Sequence, residues 1–219
     1  MPKVTEEYLN EKKNFIVECT NEILKEKPLY QITMRDIIKK AGFSQGAIYR
    51  YYASIDEIYI DLINMNTNDN SLKEKIDELI SSKKTEKEIL FESIIAIGEY
   101  IDGLLNSVGG KTFYELIVHY GYDYEKRSTV FPKLKLKQSL EYAQTKLVEY
   151  FMNSISEGKL HSSIPVERLI KYIGTSVDGI SQVGAMSKVG NNNQDKALDI
   201  NISEMFETLA EATINFLVE

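Results

Sequence analysis

The chain has one cysteine, two histidines, four prolines and no tryptophan. Cys19 alone cannot close an intramolecular disulfide. With only His119 and His161 beside it no compact Cys/His metal set exists, so zinc is excluded and no cofactor is assigned. No stretch approaches the ~18 uncharged apolar residues of a membrane span. Glu6, Glu7, Glu11, Glu18, Glu22 and Glu26 occupy the region where a secretory leader needs an apolar run, so a cytoplasmic location is expected. The glycine loops GxxxxGK(S/T) and GxGxxG, the GxSxG elbow and HExxH are missing too, and Gly109, Gly110 and Lys111 lack the rest of a phosphate loop; no enzyme is expected. What is present, 43% hydrophobic and 27% charged residues over 219 positions, describes a folded globular protein, one large unit or a small module with a larger body.

The net charge of −7 is unevenly spread. Up to Asp56 there are nine Lys and Arg against eight Asp and Glu, a balance of +1, which leaves −8 for the rest. From Thr33 to Tyr52, Arg35, Lys39, Lys40 and Arg50 stand against Asp36 alone. A basic patch on an acidic body is the asymmetry of a nucleic-acid binder.

Apolar residues recur at helical spacing throughout, and no run alternates as a strand would. The chain reads as all-α. Phe15, Ile16, Cys19, Ile23 and Leu24 form the inner stripe of a first helix that Pro28 ends. Thr33 with Asp36 opens a second, whose Met34, Ile37, Ile38 and Ala41 share one face. Gly42 suits a left-handed cap, Phe43 can pack back, and Ser44 can cap a third helix over Gln45 to Tyr52. Ser54 and Glu57 suggest a capping box for a fourth helix with Ile58, Tyr59, Leu62 and Ile63 inward. The Asn-rich stretch Asn64 to Asn70 marks a boundary, giving domains at 1–65 and 66–219. Beyond it the spacing predicts helices over Leu72 to Ser81, Ile89 to Val108 after the Thr85/Glu88 box and before Gly109 and Gly110, Phe113 to Tyr124, Pro132 to Glu157 before Gly158, Pro165 to Lys188, and Ile202 to Leu217. Gly190 to Asn193 reads as a loop.

Two short helices around Gly42, Phe43 and Ser44 make a helix-turn-helix, whose second helix fits the DNA major groove. The string from Thr33 to Tyr59, TMRDIIKKAGFSQGAIYRYYASIDEIY, resembles the DNA-binding module of the tetracycline-repressor (TetR) family without a gap. Thr33, Arg35, Asp36, Ile37, Ala41, Gly42, Ser44, Tyr49, Tyr51, Tyr52 and Glu57 carry the family pattern. The chain departs from it at Ile55, where a phosphate-holding Lys is common, and at Pro28, where Gly is usual. The resemblance implies an N-terminal three-helix DNA-binding domain joined to a larger helical ligand-binding and dimerisation domain.

The residue chemistry points the same way. Gln45 can pair bidentately with adenine N6 and N7, a contact worth roughly 1–3 kcal/mol of discrimination. Gly46 and Ala47 allow close approach to the bases. Thr33, Ser44, Tyr49, Arg50 and Lys39 or Lys40 suit phosphates, which position a protein without reading sequence. Arg35 and Tyr51 complete the candidate DNA-binding set, while Ile48 and Tyr52 face inward.

In the larger domain, Ile173, Val177, Ile180, Val183, Met205, Phe206, Leu209 and Phe216 form apolar faces on the last two long helices. Two copies of these can pack as a four-helix bundle, so a homodimer on a palindromic operator is expected. The resemblance implies the same dimer, and a small-molecule effector that releases the DNA. Candidate ligand-binding residues for a largely apolar effector are Phe91, Tyr100, Phe113, Tyr114, Tyr120, Tyr142 and Phe151, with His119 and Gln182 as polar anchors. The competing reading is a helical dimeric adaptor or regulator without an effector.

Overall fold

The structure is a computed structural model, and it describes residues 5–66, 70–188 and 200–218. The helices are α1 (Glu6–Leu24), α2 (Met34–Ala41), α3 (Gln45–Ile48), α4 (Ile55–Asn66), α5 (Ser71–Ile80), α6 (Glu86–Leu105), α7 (Val108–Tyr120), α8 (Tyr124–Thr129), α9 (Lys135–Ser156), α10 (Val166–Ser187) and α11 (Ile202–Ile214). Two short strands, β1 (His161–Ser162) and β2 (Leu217–Val218), pair antiparallel with His161 opposite Val218. The chain forms two compact units, one of Met1–Thr67 with Val108–Lys135, the other of Asn68–Ser107 with Leu136–Glu219. No helix among the described residues is long and apolar enough to cross a membrane.

In the first unit, local chemistry sets most helix ends. Thr5 accepts a hydrogen bond from the Tyr8 amide, and Glu6 and Glu7 lie where the helix dipole favours negative charge. α1 stops at Leu24, before the proline at 28, because the Glu26 and Lys27 amides both turn back to the Ile23 carbonyl. A 3-10 turn, Leu29–Gln31, leads into a complete capping box of Thr33 and Asp36. α4 buries Ile58, Tyr59, Leu62 and Ile63, as its periodicity predicts. Glu57 accepts from the Ala53 amide at 2.8 Å, one residue before the cap position assigned from sequence.

The segment Val108–Lys135 is held to the N-terminal helices by polar contacts at three places. The Glu115 carboxylate accepts the Leu29 amide at 2.6 Å. Asp56, at the start of α4, accepts the Tyr120 hydroxyl at 2.5 Å and pairs with Lys126. Asn64, near the end of α4, donates to the Lys133 carbonyl and accepts the Lys135 amide, both at 2.9 Å. Burial pushes the Glu115 carboxyl above its ordinary pKa, and burial together with the Asp56 hydrogen bond holds the Tyr120 phenol well above its own.

This segment differs from the sequence reading. α6 ends at Leu105, where a turn through Asn106 and Ser107 breaks it, and Gly109 and Gly110 lie buried in the first turn of α7 instead of stopping a helix. Small size there permits burial at some cost in helix propensity. α8 was not foreseen, and Pro132 lies in a 3-10 turn, Phe131–Lys133, before α9.

In the second unit, α11 crosses α6 closely because Gly98 has no side chain. A Cβ there would meet Phe206 Cγ at 2.5 Å. Gly184 on α10 similarly admits Ile202, whose Cδ1 would lie 2.6 Å from an added Cβ. Phe206 and Leu209, read from sequence as dimer-interface residues, are therefore core residues of the single chain, 1% and 4% exposed. Gly158 ends α9 with a φ of 71°, as expected of a left-handed cap. The strand pair was not anticipated; its two residues per strand are too few to show alternation. The Ser163 amide and hydroxyl both donate to the Phe216 carbonyl, at 2.8 and 3.0 Å. The loop assigned to Gly190–Asn193 lies outside the described residues.

Two pairs of substitutions test this packing by urea denaturation. G98A forces Phe206 to shift and is expected to cost about 1–3 kcal/mol. G103A, where nothing lies within 4 Å of an added Cβ, is expected to stabilise α6 by about 0.4–1 kcal/mol. E115A leaves the buried Leu29 amide without its acceptor, at a cost of roughly 1–3 kcal/mol. E115Q keeps an acceptor oxygen and is expected to cost less; equal losses for both variants would show that the hydrogen bond is unimportant.

Candidate nucleic-acid interface

The turn between α2 and α3 is built from three residues with separate tasks. Gly42 takes φ 68°, which reverses the chain while its amide bonds the Ile38 carbonyl. Phe43 inserts between rings, 5.9 Å from Phe15 and 6.2 Å from Tyr51, centroid to centroid. Ser44 caps α3 by accepting the Ala47 amide at 3.2 Å.

α3 is shorter than the eight residues expected. Regular helix covers Gln45–Ile48, after which the Arg50 and Tyr51 amides bond the Ala47 and Ile48 carbonyls and tighten the chain into a turn. Tertiary contacts of Tyr51 and Tyr52 set this geometry. Tyr52 is 1% exposed, donates to Asp61 at 2.9 Å and lies under the Lys13 ammonium, 4.9 Å from its ring centroid. Ile48 is fully buried beside it in sequence phase. Burial, and then the Asp61 charge, hold the Tyr52 phenol far above its usual pKa, so it remains a donor at any physiological pH.

With Ile48 and Tyr52 inward, the opposite side of the segment faces solvent. Ser44, Gln45, Gly46, Tyr49 and Arg50 are exposed, and Ala47 is half-buried. Arg35 and Lys39 are exposed on α2. Tyr51 departs from this group: half-buried against Phe43, it packs the turn, and burial raises its pKa. The two caps also differ. The Thr33 hydroxyl donates to Asp36 at 2.7 Å, so its proton is already used, and its amide donates to the same carboxylate at 2.8 Å. The Ser44 hydroxyl only accepts, and its proton has no protein acceptor among the described residues. The Lys27 ammonium and the Thr33 hydrogen bonds hold the Asp36 carboxyl down at about 2.

Lys40 is neutralised by Glu26 at 3.6 Å, which separates it from Lys39. A face of Gln45, Tyr49 and Arg50 with small residues at its centre, beside Arg35 and Lys39, can enter a groove, place an amide at base edges and set cations against phosphates.

The sequence-derived ligand residues fall in both units. Phe113, Tyr114 and Tyr120 are buried in α7, and Tyr120 is committed to Asp56. His119 is exposed, its ring 5.3 Å from Tyr120, so it is a surface residue of α7 and no internal anchor. Phe91, Tyr100 and Gln182 are half-buried and Phe151 is buried in the second unit. Tyr142 donates to both Asp77 oxygens at 2.8 Å, and the Lys73 and Lys146 ammonium groups each lie over its ring, 5.8 Å from the centroid. Sequence reasoning missed Ser93, which is fully buried on α6 with no hydrogen-bond partner for its hydroxyl among the described residues; a serine within an apolar run gives no signal of where its hydroxyl points.

Comparison with known proteins agrees with this geometry. Residues 16–62 match the family described as bacterial regulatory proteins, tetR family. The chain is 26% identical over 186 residues to the HTH-type transcriptional regulator YfiR of Bacillus subtilis (strain 168), spanning 83% of each chain. Among solved structures, the MbdR regulator from Azoarcus sp. CIB superposes with a TM-score of 0.58 at 16% identity, covering 95% of this chain and 100% of that one. The transcriptional regulator FadR from Bacillus subtilis, in complex with stearoyl-CoA, superposes with a TM-score of 0.52 at 20% identity, covering 91% and 96%. These two likenesses speak for the fold. The family match spans the helix-turn-helix, so residues 16–62, with the exposed side of the segment after Ser44 facing solvent, form a module similar to the one shared by the tetR family of bacterial regulatory proteins.

Proposed function

We propose that the chain is a ligand-responsive repressor that binds a palindromic operator as a homodimer and is released by a small, largely apolar effector. The observation that carries the DNA-binding part is the segregation of the recognition segment, with Ile48 and Tyr52 at 0% and 1% exposure while Gln45, Tyr49 and Arg50 face solvent. Residues 1–65 are assigned to DNA and 66–219 to regulation and dimerisation. Gln45 reads a base edge, Gly46 and Ala47 allow close approach, and Ser44, Tyr49, Arg50, Arg35 and Lys39 hold phosphates.

Dimerisation is supported by the half-buried Ile173, Val177, Ile180 and Val183 of α10 and by the exposed Met205 of α11. A second copy would cover these apolar side chains. The aromatic residues Phe91, Tyr100, Phe113, Tyr114 and Phe151 favour an apolar effector, and FadR with its stearoyl-CoA gives a precedent for such a ligand on this fold. Effector binding shifts the population of dimers toward a spacing of recognition helices that misfits the operator. The protein works in the cytoplasm and performs no catalysis.

A duplex selected from random sequence by rounds of binding tests the first part. Q45A is expected to lose roughly 1–3 kcal/mol of discrimination between the selected duplex and a single-base variant. Y49A is expected to weaken both duplexes equally, as phosphate contacts do. Equal wild-type affinity for selected and random duplexes at physiological salt would defeat specific binding. Thermal-shift screening against long-chain acyl-CoA thioesters and other lipophilic compounds tests the second part: a stabilising compound is expected to release the duplex, and the switch fails if every stabilising compound leaves DNA affinity unchanged.

A further inference from the structure

The basic residues of the N-terminal region divide by whether the protein neutralises them. Lys13 pairs with Asp61 at 3.6 Å, Lys25 with Glu22 at 2.6 Å, Lys27 with Asp36 at 2.9 Å and Lys40 with Glu26 at 3.6 Å. Lys12, Arg35, Lys39 and Arg50 make no ion pair among the described residues. Three of these four lie on α2 or at the end of the recognition segment. The fourth lies on α1.

Tyr8, Lys12 and Phe15 occupy i, i+4 and i+7 of α1 and so share one face. Both ends of that face touch the recognition region. The Phe15 ring lies 5.9 Å from Phe43, which lies 6.2 Å from Tyr51. Burial first, and then the nearby Tyr8 phenol, raise the pKa of Tyr51. Between these contacts the Lys12 ammonium sits over the Tyr8 ring, 5.2 Å from its centroid. Glu6 and Glu7 project about 120° and 140° around the helix from Lys12, away from this face, while the exposed Glu11, three residues after Tyr8 and four before Phe15, flanks it.

We infer that the DNA-binding surface extends onto α1, where Lys12 holds a backbone phosphate beside the end of the recognition segment. The inference rests on the reading that the segment after Ser44 binds duplex DNA. An ammonium on a long apolar stem suits a phosphate oxygen, and the Tyr8 ring restrains that stem without neutralising its charge. Lys13, one position on, is turned the other way and spent on Asp61 and the Tyr52 ring. Lys12 adds affinity without sequence preference, since phosphates are alike at every step of the duplex.

The test is the salt dependence of binding to the selected duplex and to an unrelated one, for wild type, K12Q, K12R and K25Q. One lost phosphate contact is expected to lower the magnitude of the log–log salt slope by about 1 in K12Q, and to weaken both duplexes by the same factor. K12R is expected to restore the slope, and K25Q, which removes a lysine already paired on the same helix, to leave it at the wild-type value. A weaker K12Q complex with an unchanged slope would reflect altered packing and would overturn the inference, as would an unchanged affinity. Wild-type protein that binds neither duplex would overturn the DNA-binding reading itself and this inference with it.

Discussion

The left-handed turn at Gly42 is the constraint on which the N-terminal unit depends. A φ of 68° costs a residue with a Cβ about 1–2 kcal/mol, and glycine takes it freely. That reversal brings Ser44 to the start of α3 and sends Ile48 and Tyr52 into the core. The outward direction of Gln45, Tyr49 and Arg50 is then the complement of what is buried. Phe43 fixes the turn from the other side by filling the space between Phe15 and Tyr51. Function on this surface is a consequence of packing beneath it.

Asp56 has a comparable role one element later. Its carboxylate collects the Tyr120 hydroxyl and the Lys126 ammonium at the first turn of α4, where negative charge also suits the helix dipole. Leu29 and Asn64 make the neighbouring attachments through Glu115 and through the backbone of Lys133 and Lys135. α4 therefore receives polar contacts at both ends from a later stretch of chain. Such bonds are directional, and a shift of α7 or α8 has a defined route to the element that follows the recognition segment.

What could be read from sequence was mostly local. Thr33 with Asp36, Thr85 with Glu88, the cap at Gly158 and the inward face of α4 are each settled within one or two turns of chain, and the structure reproduces them. The exposure of Gln45 and Tyr49 followed from the burial of Ile48 and Tyr52. Long-range pairing was not legible. Nothing near Asp56 announces a tyrosine 64 positions away, and the shortening of α3 follows from the packing of Tyr51 and Tyr52. Gly109 and Gly110 were read as breakers because glycine serves both to end helices and to let them bury closely. Helical periodicity likewise gave the apolar face of α11 but not what covers it, so Phe206 was sought at a partner when Gly98 of the same chain receives it.

The division of the chain also bears on its synthesis. The unit that holds the helix-turn-helix draws on Val108–Lys135, so its last attachments cannot form until the ribosome has passed Lys135. Until then the Leu29 amide, the Asp56 carboxylate and the Asn64 amide wait on groups not yet made. Folding of the nascent chain is thus interleaved: the second unit has its first two helices, α5 and α6, in hand before the first unit is complete.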